Sequence, residues 1–258
     1  MDLRDKVIVI TGASSGFGEL IARRCAERGA CLVLVARSPG PLQRLADELG
    51  AREGRALALP ADVSDDAQVR AMAQAALAHF GRADVVVANA GFGVLDRLAD
   101  AKLADLQEMV DVNLYGVVST VQAFLPSMLA RRGGQIVIMA SQAGLIATAR
   151  MGFYSATKHA LVGLARTLML ELAGTGVRCA LICPGVAKTG FQQRADDSKY
   201  ARSTRLSACT PEQVADATVR AIERRTHGEV LVPWYVHLLV AAAAPSPRLA
   251  RLVLRLLG

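Results

Sequence analysis

The chain has 258 residues, 52% of them hydrophobic and 21% charged. This balance excludes disorder, a collagen-like repeat and a disulfide-stapled miniature fold, and leaves a single domain around one core as the expectation. Aromatic residues make up 4% with one tryptophan, too few for a stacked-ring platform that grips single-stranded nucleic acid; the formal charge of +7 favours anionic partners without choosing among phosphorylated cofactors, acyl carriers, membrane surfaces and nucleic acid.

The basic residues are dispersed through helix-like segments and read as a solvated surface with no nucleic-acid motif. Asp2, Arg4, Asp5 and Lys6 precede only a short apolar run, Val7 to Ile10, which is not the layout of a secretory signal, so a cytoplasmic location is expected. Lys6–Ile10 is the first predicted strand. It runs into Thr11-Gly12-Ala13-Ser14-Ser15-Gly16-Phe17-Gly18, with helical periodicity over Gly16–Arg28. A strand, glycine turn and helix can aim backbone N–H groups at a pyrophosphate, although G-x-x-x-G-x-G differs from the usual G-x-G-x-x-G and alone reads equally as a tight connection.

The second strand, Cys31–Ala36, ends in Arg37-Ser38, where an NAD-selective site would carry an acidic residue. An arginine there offers paired donors to a 2′-phosphate and points to NADP(H) over NAD(H); the plain alternative is a solvated surface arginine. Ser14, Ser15 and Ser38 could add hydroxyl donors. A helix over Pro41–Leu49, a strand over Arg55–Pro60, a helix over Asp65–Phe80 and a strand over Asp84–Ala88 follow, the last ending in Asn89-Ala90-Gly91.

One long helix is predicted over Leu103–Arg131, with Asn113 in its interior, where an amide is not favoured by propensity and needs partners if buried. The strand Gln135–Ala140 ends at Ser141, at the carboxyl edge where α/β sheets bind ligands; its hydroxyl could polarise a carbonyl or merely satisfy a turn. In the helix Phe153–Ala173, Tyr154 and Lys158 are four apart and share a face. A nearby ammonium favours the phenolate and lowers a tyrosine pKa from its ordinary value of about 10, which suits general acid/base work, yet such a pair also arises by chance.

The strand Val177–Cys183 leads through Pro184-Gly185 into a long polar connector, 187–209, of the kind that often forms a lid. Thr210 with Gln213 forms a capping box around Pro211, starting a helix over Pro211–Arg225, and Glu229–Val232 is the last strand. About seven nearly continuous apolar strands alternating with helices predict a doubly wound parallel sheet covered on both faces. The five cysteines lack a C-x-x-C pair and are expected reduced and buried; the four histidines lack ligand spacing, so no metal is expected.

Taken together these pieces resemble the short-chain dehydrogenases/reductases, a Rossmann-type family, from Lys6 to about Val232. The matching residues are Thr11 to Gly18, Ala61-Asp62-Val63, Asn89-Ala90-Gly91, Asn113, Ser141, Tyr154-Ser155-Ala156-Thr157-Lys158, and Pro184-Gly185 with Thr189. The resemblance implies a tetrad. Tyr154 would exchange a proton with the substrate oxygen while hydride passes between nicotinamide and substrate carbon, and Ser141 would hydrogen-bond that oxygen. Lys158 would hold the nicotinamide ribose and depress the tyrosine pKa, and Asn113 would hold a water that links Lys158 to solvent. It also implies that Gly12, Ser14, Ser15, Gly16, Phe17 and Gly18 cradle the phosphates, that Asp62 and Val63 bracket the adenine, and that Asn89, Ala90 and Gly91 line the cofactor. Pro184, Gly185, Ala187 and Thr189 would hold the carboxamide; Ala187 stands where the family usually has a branched aliphatic residue.

The implied substrate is a hydrophobic ketone or aldehyde, or the corresponding alcohol, in a homodimer or homotetramer built through Leu103–Arg131 and Phe153–Ala173. A 3-oxoacyl thioester reductase is the nearer alternative, weakened because no glycine pair follows Val232; a non-catalytic NADP-binding sensor is the distant one, since such proteins tend to lose the tyrosine. No run reaches the eighteen apolar residues of a membrane-spanning helix, the nearest being Leu238–Ala244. In the tail, 234–258, Arg248, Arg251 and Arg255 share one helical face beside leucines, and this end could pack on a subunit, cover the site or lie on a membrane.

Overall fold

The computed structural model describes residues 1–147, 149–187 and 208–237. Its elements in chain order are β1 (Val7–Thr11), α1 (Gly16–Ala26), β2 (Cys31–Ala36), α2 (Pro39–Glu48), β3 (Ala56–Pro60), α3 (Asp66–Phe80), β4 (Val85–Ala88), α4 (Leu103–Val110), α5 (Gly116–Ala130), β5 (Gly134–Met139), α6 (Gly152–Glu171), β6 (Val177–Pro184), β7 (Val186–Ala187), β8 (Ala208–Cys209), α7 (Pro211–Glu223) and β9 (Gly228–Val232). Seven strands form one sheet in the order β3-β2-β1-β4-β5-β6-β9, with every pairing parallel. The predicted doubly wound architecture is present, with element ends shifted by one or two residues.

Period-two alternation divides each strand between two cores. Val7, Val9, Val33 and Val35 face α3, α5 and α6, whereas Ile8, Ile10, Leu32 and Leu34 face α1, α2 and α7. Each such side chain removed from water contributes about 1.5–3 kcal/mol. The chain winds outward from β1 to β3, then returns to open β4 on the other side of β1. The carboxyl ends of β1 and β4 therefore diverge into different crossovers, and this crevice is where an open α/β sheet takes its ligand.

Local chemistry fixes several helix ends. Asp65 accepts the N–H groups of Ala67 and Gln68 at the start of α3, and Gly81 closes it in the left-handed conformation. The capping box at Thr210 and Gln213 forms as the spacing predicts, at 3.2 and 3.0 Å.

Two features depart from the periodicity. The long helix predicted from Leu103 is interrupted by a π turn at Asp111–Tyr115 between α4 and α5; one widened turn leaves most apolar spacing intact, so the pattern conceals it. The ladder of β7 with β8, Val186 opposite Ala208 and Ala187 opposite Cys209, is too short to carry a pattern. It joins the ends of the connector; positions 188–207, including Thr189, and the tail beyond His237 lie outside the described residues. The helical stretch Leu103–Ala130 is, by length and composition, able to cross a membrane, but half of its apolar window is buried in the molecule, where α5 packs on α3, β4 and β5 as a core helix.

Candidate active site

The glycine turn after β1 is shaped by close approaches. Gly12 and Gly16 have φ of 67° and 58°, a region glycine enters without steric cost. Gly18 is required for another reason: a Cβ there would stand 2.1 Å from the Gly12 carbonyl oxygen and 2.8 Å from Asn89 Nδ2. Asn89 works on the same turn, its amide donating to the carbonyls of Thr11 and Gly12 at 2.9 and 3.4 Å. Thr11 Oγ1 accepts the N–H groups of Asn89 and Ala90 at 3.0 and 3.1 Å, which ties the ends of β1 and β4 together.

Ser15 is the N-cap of α1 but does not spend its hydroxyl on the cap. The first N–H groups of α1 and the positive end of its dipole are thus left for an anion. Substituting Gly18 by alanine is expected to weaken the dinucleotide binding that the resemblance implies at least 10-fold and to destabilise the fold by about 1–3 kcal/mol, because α1 must move off the turn. Binding by fluorescence titration and urea unfolding check this; unchanged affinity would show that the tight approach is immaterial.

This turn opens on a cavity of about 560 Å³, within the range of about 300–1,000 Å³ usual for ligand sites. Gly12, Ser14, Ser15, Gly16 and Phe17 line one end. Arg37 and Ser38 stand beside them at the end of β2, Arg37 exposed and without an ion pair among the described residues. Asp62 and Val63 form the next wall; the Asp62 carboxylate accepts the Ser64 N–H and hydroxyl at 3.0 and 2.7 Å, which sets the loop after β3.

Asn89, Ala90 and Gly91 continue the wall toward Tyr154 and Lys158. Phe92, Val112, Met139 and Ala140 also line the cavity; sequence reading missed them because they enter through position, without a residue type that signals chemistry.

Lys158 is 4% exposed and gives its ammonium to the Met139 carbonyl at 2.9 Å. Its Nζ lies 5.7 Å from the centre of the Tyr154 ring. Burial disfavours its charged form and pushes its pKa down to about 8, against a small opposing effect of Cys183, whose own thiol burial pushes up to about 12. Tyr154, 6% exposed, packs with Met109, Ala143 and Met151 in a small apolar cluster that Phe92, Val94 and Leu95 extend.

Ser141 Oγ accepts the Ala143 N–H at 3.1 Å, capping a single 3-10 turn, Gln142–Gly144. The turn-satisfying role considered from sequence is therefore real, and the hydroxyl proton remains to be donated elsewhere.

Asn113 is fully buried in the π turn. Its Oδ1 accepts the Phe92 N–H at 2.9 Å, and its Nδ2 donates to the Phe92 carbonyl at 2.8 Å and to Thr157 Oγ1 at 3.3 Å. It joins the loop after β4 to α6, and a Cβ on Gly91 would meet both Asn113 Oδ1, at 2.9 Å, and Lys158 Nζ, at 3.6 Å. Pro184 ends β6 opposite Val232 of β9, Gly185 and Ala187 follow it, and these three, like Gly18, Asn113 and Ser141, are outside the lining of this cavity.

Comparison with known proteins gives a consistent likeness. A family model described as short chain dehydrogenase matches residues 6–199. The chain is 36% identical over 231 residues to the ketoacyl reductase HetN of Nostoc sp., covering 89% of this chain and 79% of that protein. It is 42% identical over 188 residues to oxidoreductase UcpA of Escherichia coli (strain K12), covering 72% and 71%. A solved short chain dehydrogenase/reductase from Burkholderia phymatum, in complex with NAD, superposes with a TM-score of 0.88 at 34% identity over 96% of each chain.

Proposed function

Since this chain belongs to the short-chain dehydrogenase/reductase family of oxidoreductases, we propose that it interconverts a hydrophobic ketone or aldehyde and its alcohol, with NADP(H), when bound, supplying or accepting the hydride. The observation that carries this reading is the convergence of Arg37, the glycine turn, Tyr154 and Lys158 on one cavity. The cavity fits a dinucleotide: one end presents free helix N–H groups and two serine hydroxyls, and the other ends at a buried ammonium.

In this reading Tyr154 gives its phenolic proton to the carbonyl oxygen during reduction and takes it back in oxidation. Ser141 donates its free hydroxyl proton to the same oxygen. Lys158 holds the ribose hydroxyls and its ammonium favours the phenolate, and Asn113 fixes the wall on which the proton path runs. The apolar side chains Phe92, Val94, Leu95 and Met151 near Tyr154 support a hydrophobic substrate. Exposed Leu103, Tyr115, Leu129 and Leu170 on α4 to α6 support a homo-oligomer assembled through those helices.

NADP preference rests on Arg37. Its guanidinium, free of other partners among the described residues and flanked by Ser38, can chelate a 2′-phosphate and has nothing comparable to grip in NADH. Arg37→Ala is expected to raise the KM for NADPH by about 10- to 100-fold and that for NADH less than twofold; equal effects would contradict the assignment.

A second reading, reduction of a 3-oxoacyl thioester, is favoured by the likeness to a ketoacyl reductase. One experiment tests both. Nicotinamide fluorescence is titrated with NADPH and NADH, and NADPH oxidation is then followed with 2-decanone, trans-1-decalone, a 3-ketosteroid and acetoacetyl-N-acetylcysteamine. Turnover of the ketones supports the first reading and turnover of the thioester alone the second; nucleotide binding with no turnover on any of them defeats both.

A further inference from the structure

The turn that carries Ser141 is set in place from two sides. On one side it presses on α6: a Cβ on Gly144 would stand 2.6 Å from the Lys158 carbonyl oxygen. On the other side Gln142, 7% exposed, donates its Nε2–H to the Val232 carbonyl at 3.0 Å, at the end of β9 and ninety residues further along the chain. The same carbonyl accepts the Gly185 N–H at 2.6 Å. A single acceptor at the end of the last strand therefore joins the serine turn to the segment after β6. Gln142, like Ser141, is outside the lining of that cavity, and its amide N–H is turned to the Val232 carbonyl and not toward a ligand. A buried amide donor left without its acceptor is costly, so this bond strongly constrains where the turn can sit.

We propose that Gln142 is a positioning residue, which holds the Ser141 hydroxyl at the reacting oxygen by anchoring its turn to Val232 of β9. The inference rests on the reading of Ser141 given above. Misplacing a donor by a fraction of an ångström weakens a transition-state hydrogen bond far more than it weakens binding of the nucleotide. The Gly185 bond to Val232 does not involve Gln142, so the segment after β6 keeps its anchor, and the glycine turn at the other end of the cavity makes no hydrogen bond with this amide among the described residues.

The test is a double-mutant cycle with Gln142→Leu and Ser141→Ala, using the carbonyl of the above panel that is turned over fastest. Gln142→Leu is expected to lower kcat about 10-fold while the Kd for NADPH stays within twofold. In the Ser141→Ala background the same substitution is expected to change kcat less than twofold, because the group it positions is gone. Thermal unfolding identifies a variant that fails to fold, and Gln142→Met, longer and unbranched, then takes its place in the cycle. An equal loss in both backgrounds overturns the inference, as does an unchanged kcat in a folded variant while Ser141→Ala alone is impaired. Normal turnover by Ser141→Ala, or a panel with no turnover, instead overturns the reading on which the inference stands.

Discussion

Tyr154→Phe is expected to lower turnover by about 10²-fold or more and to leave the Kd for NADPH within a few fold of the parent. The ring packs with Met109, Ala143 and Met151, and phenylalanine keeps every one of those apolar contacts. What it removes is the hydroxyl at the reacting end of the cavity. A neighbouring cavity-lining group with a proton to give is the Lys158 ammonium, 5.7 Å from the ring centre and engaged with the Met139 carbonyl at 2.9 Å. Ser141 can polarise an oxygen but is far too weak an acid to protonate it. Steady-state rates with the panel ketones and a fluorescence titration with NADPH are the paired measurements. Turnover within about fivefold of the parent would take the proton away from Tyr154; lost nucleotide binding would mean that the hydroxyl serves the cofactor instead.

The sequence made the strand and helix order legible because both faces of this sheet are covered, so strands such as Ile8 to Ile10 and Val85 to Val87 read as unbroken apolar runs. The motif residues were legible for a different reason: Gly12, Gly18 and Asn89 are held by contacts that only those residue types can make. The π turn was not legible, although its burial of Asn113 was hinted at by an amide inside an apolar helix. Gln142 was invisible altogether. Its meaning lies in a carbonyl ninety residues away, brought near by the pairing of β6 with β9, with Pro184 opposite Val232. Nor does sequence reveal that Asn89 spends its amide on the glycine turn, so that its part in the site is to shape the cradle.

Lys158→Met is expected to abolish most turnover and, in the protein without nucleotide, to make the fold more stable at pH 7. The ammonium is almost wholly buried and its pKa is lowered from 10.5 to about 8, so below pH 8 the folded state carries a charge it disfavours. That shift corresponds to a destabilisation of about 3 kcal/mol, which fades as pH rises from about 8 to the unfolded value near 10.5 and is absent above it. Methionine removes the charge at nearly the same length. It also leaves the Met139 carbonyl without its donor, a loss of about 1–2 kcal/mol. The net gain at pH 7 is therefore about 1–2 kcal/mol, or a few degrees in Tm, and near pH 10.5 it vanishes or changes sign. Urea unfolding at the two pH values decides the matter: a variant less stable than the parent at pH 7 would mean that the buried ammonium is well satisfied as it stands. The predicted opposition of stability and turnover follows from burial itself. A lysine sunk into the cavity wall keeps an ammonium 5.7 Å from the centre of the Tyr154 ring, and the same desolvation that would sharpen its field on the phenol works against the folded state.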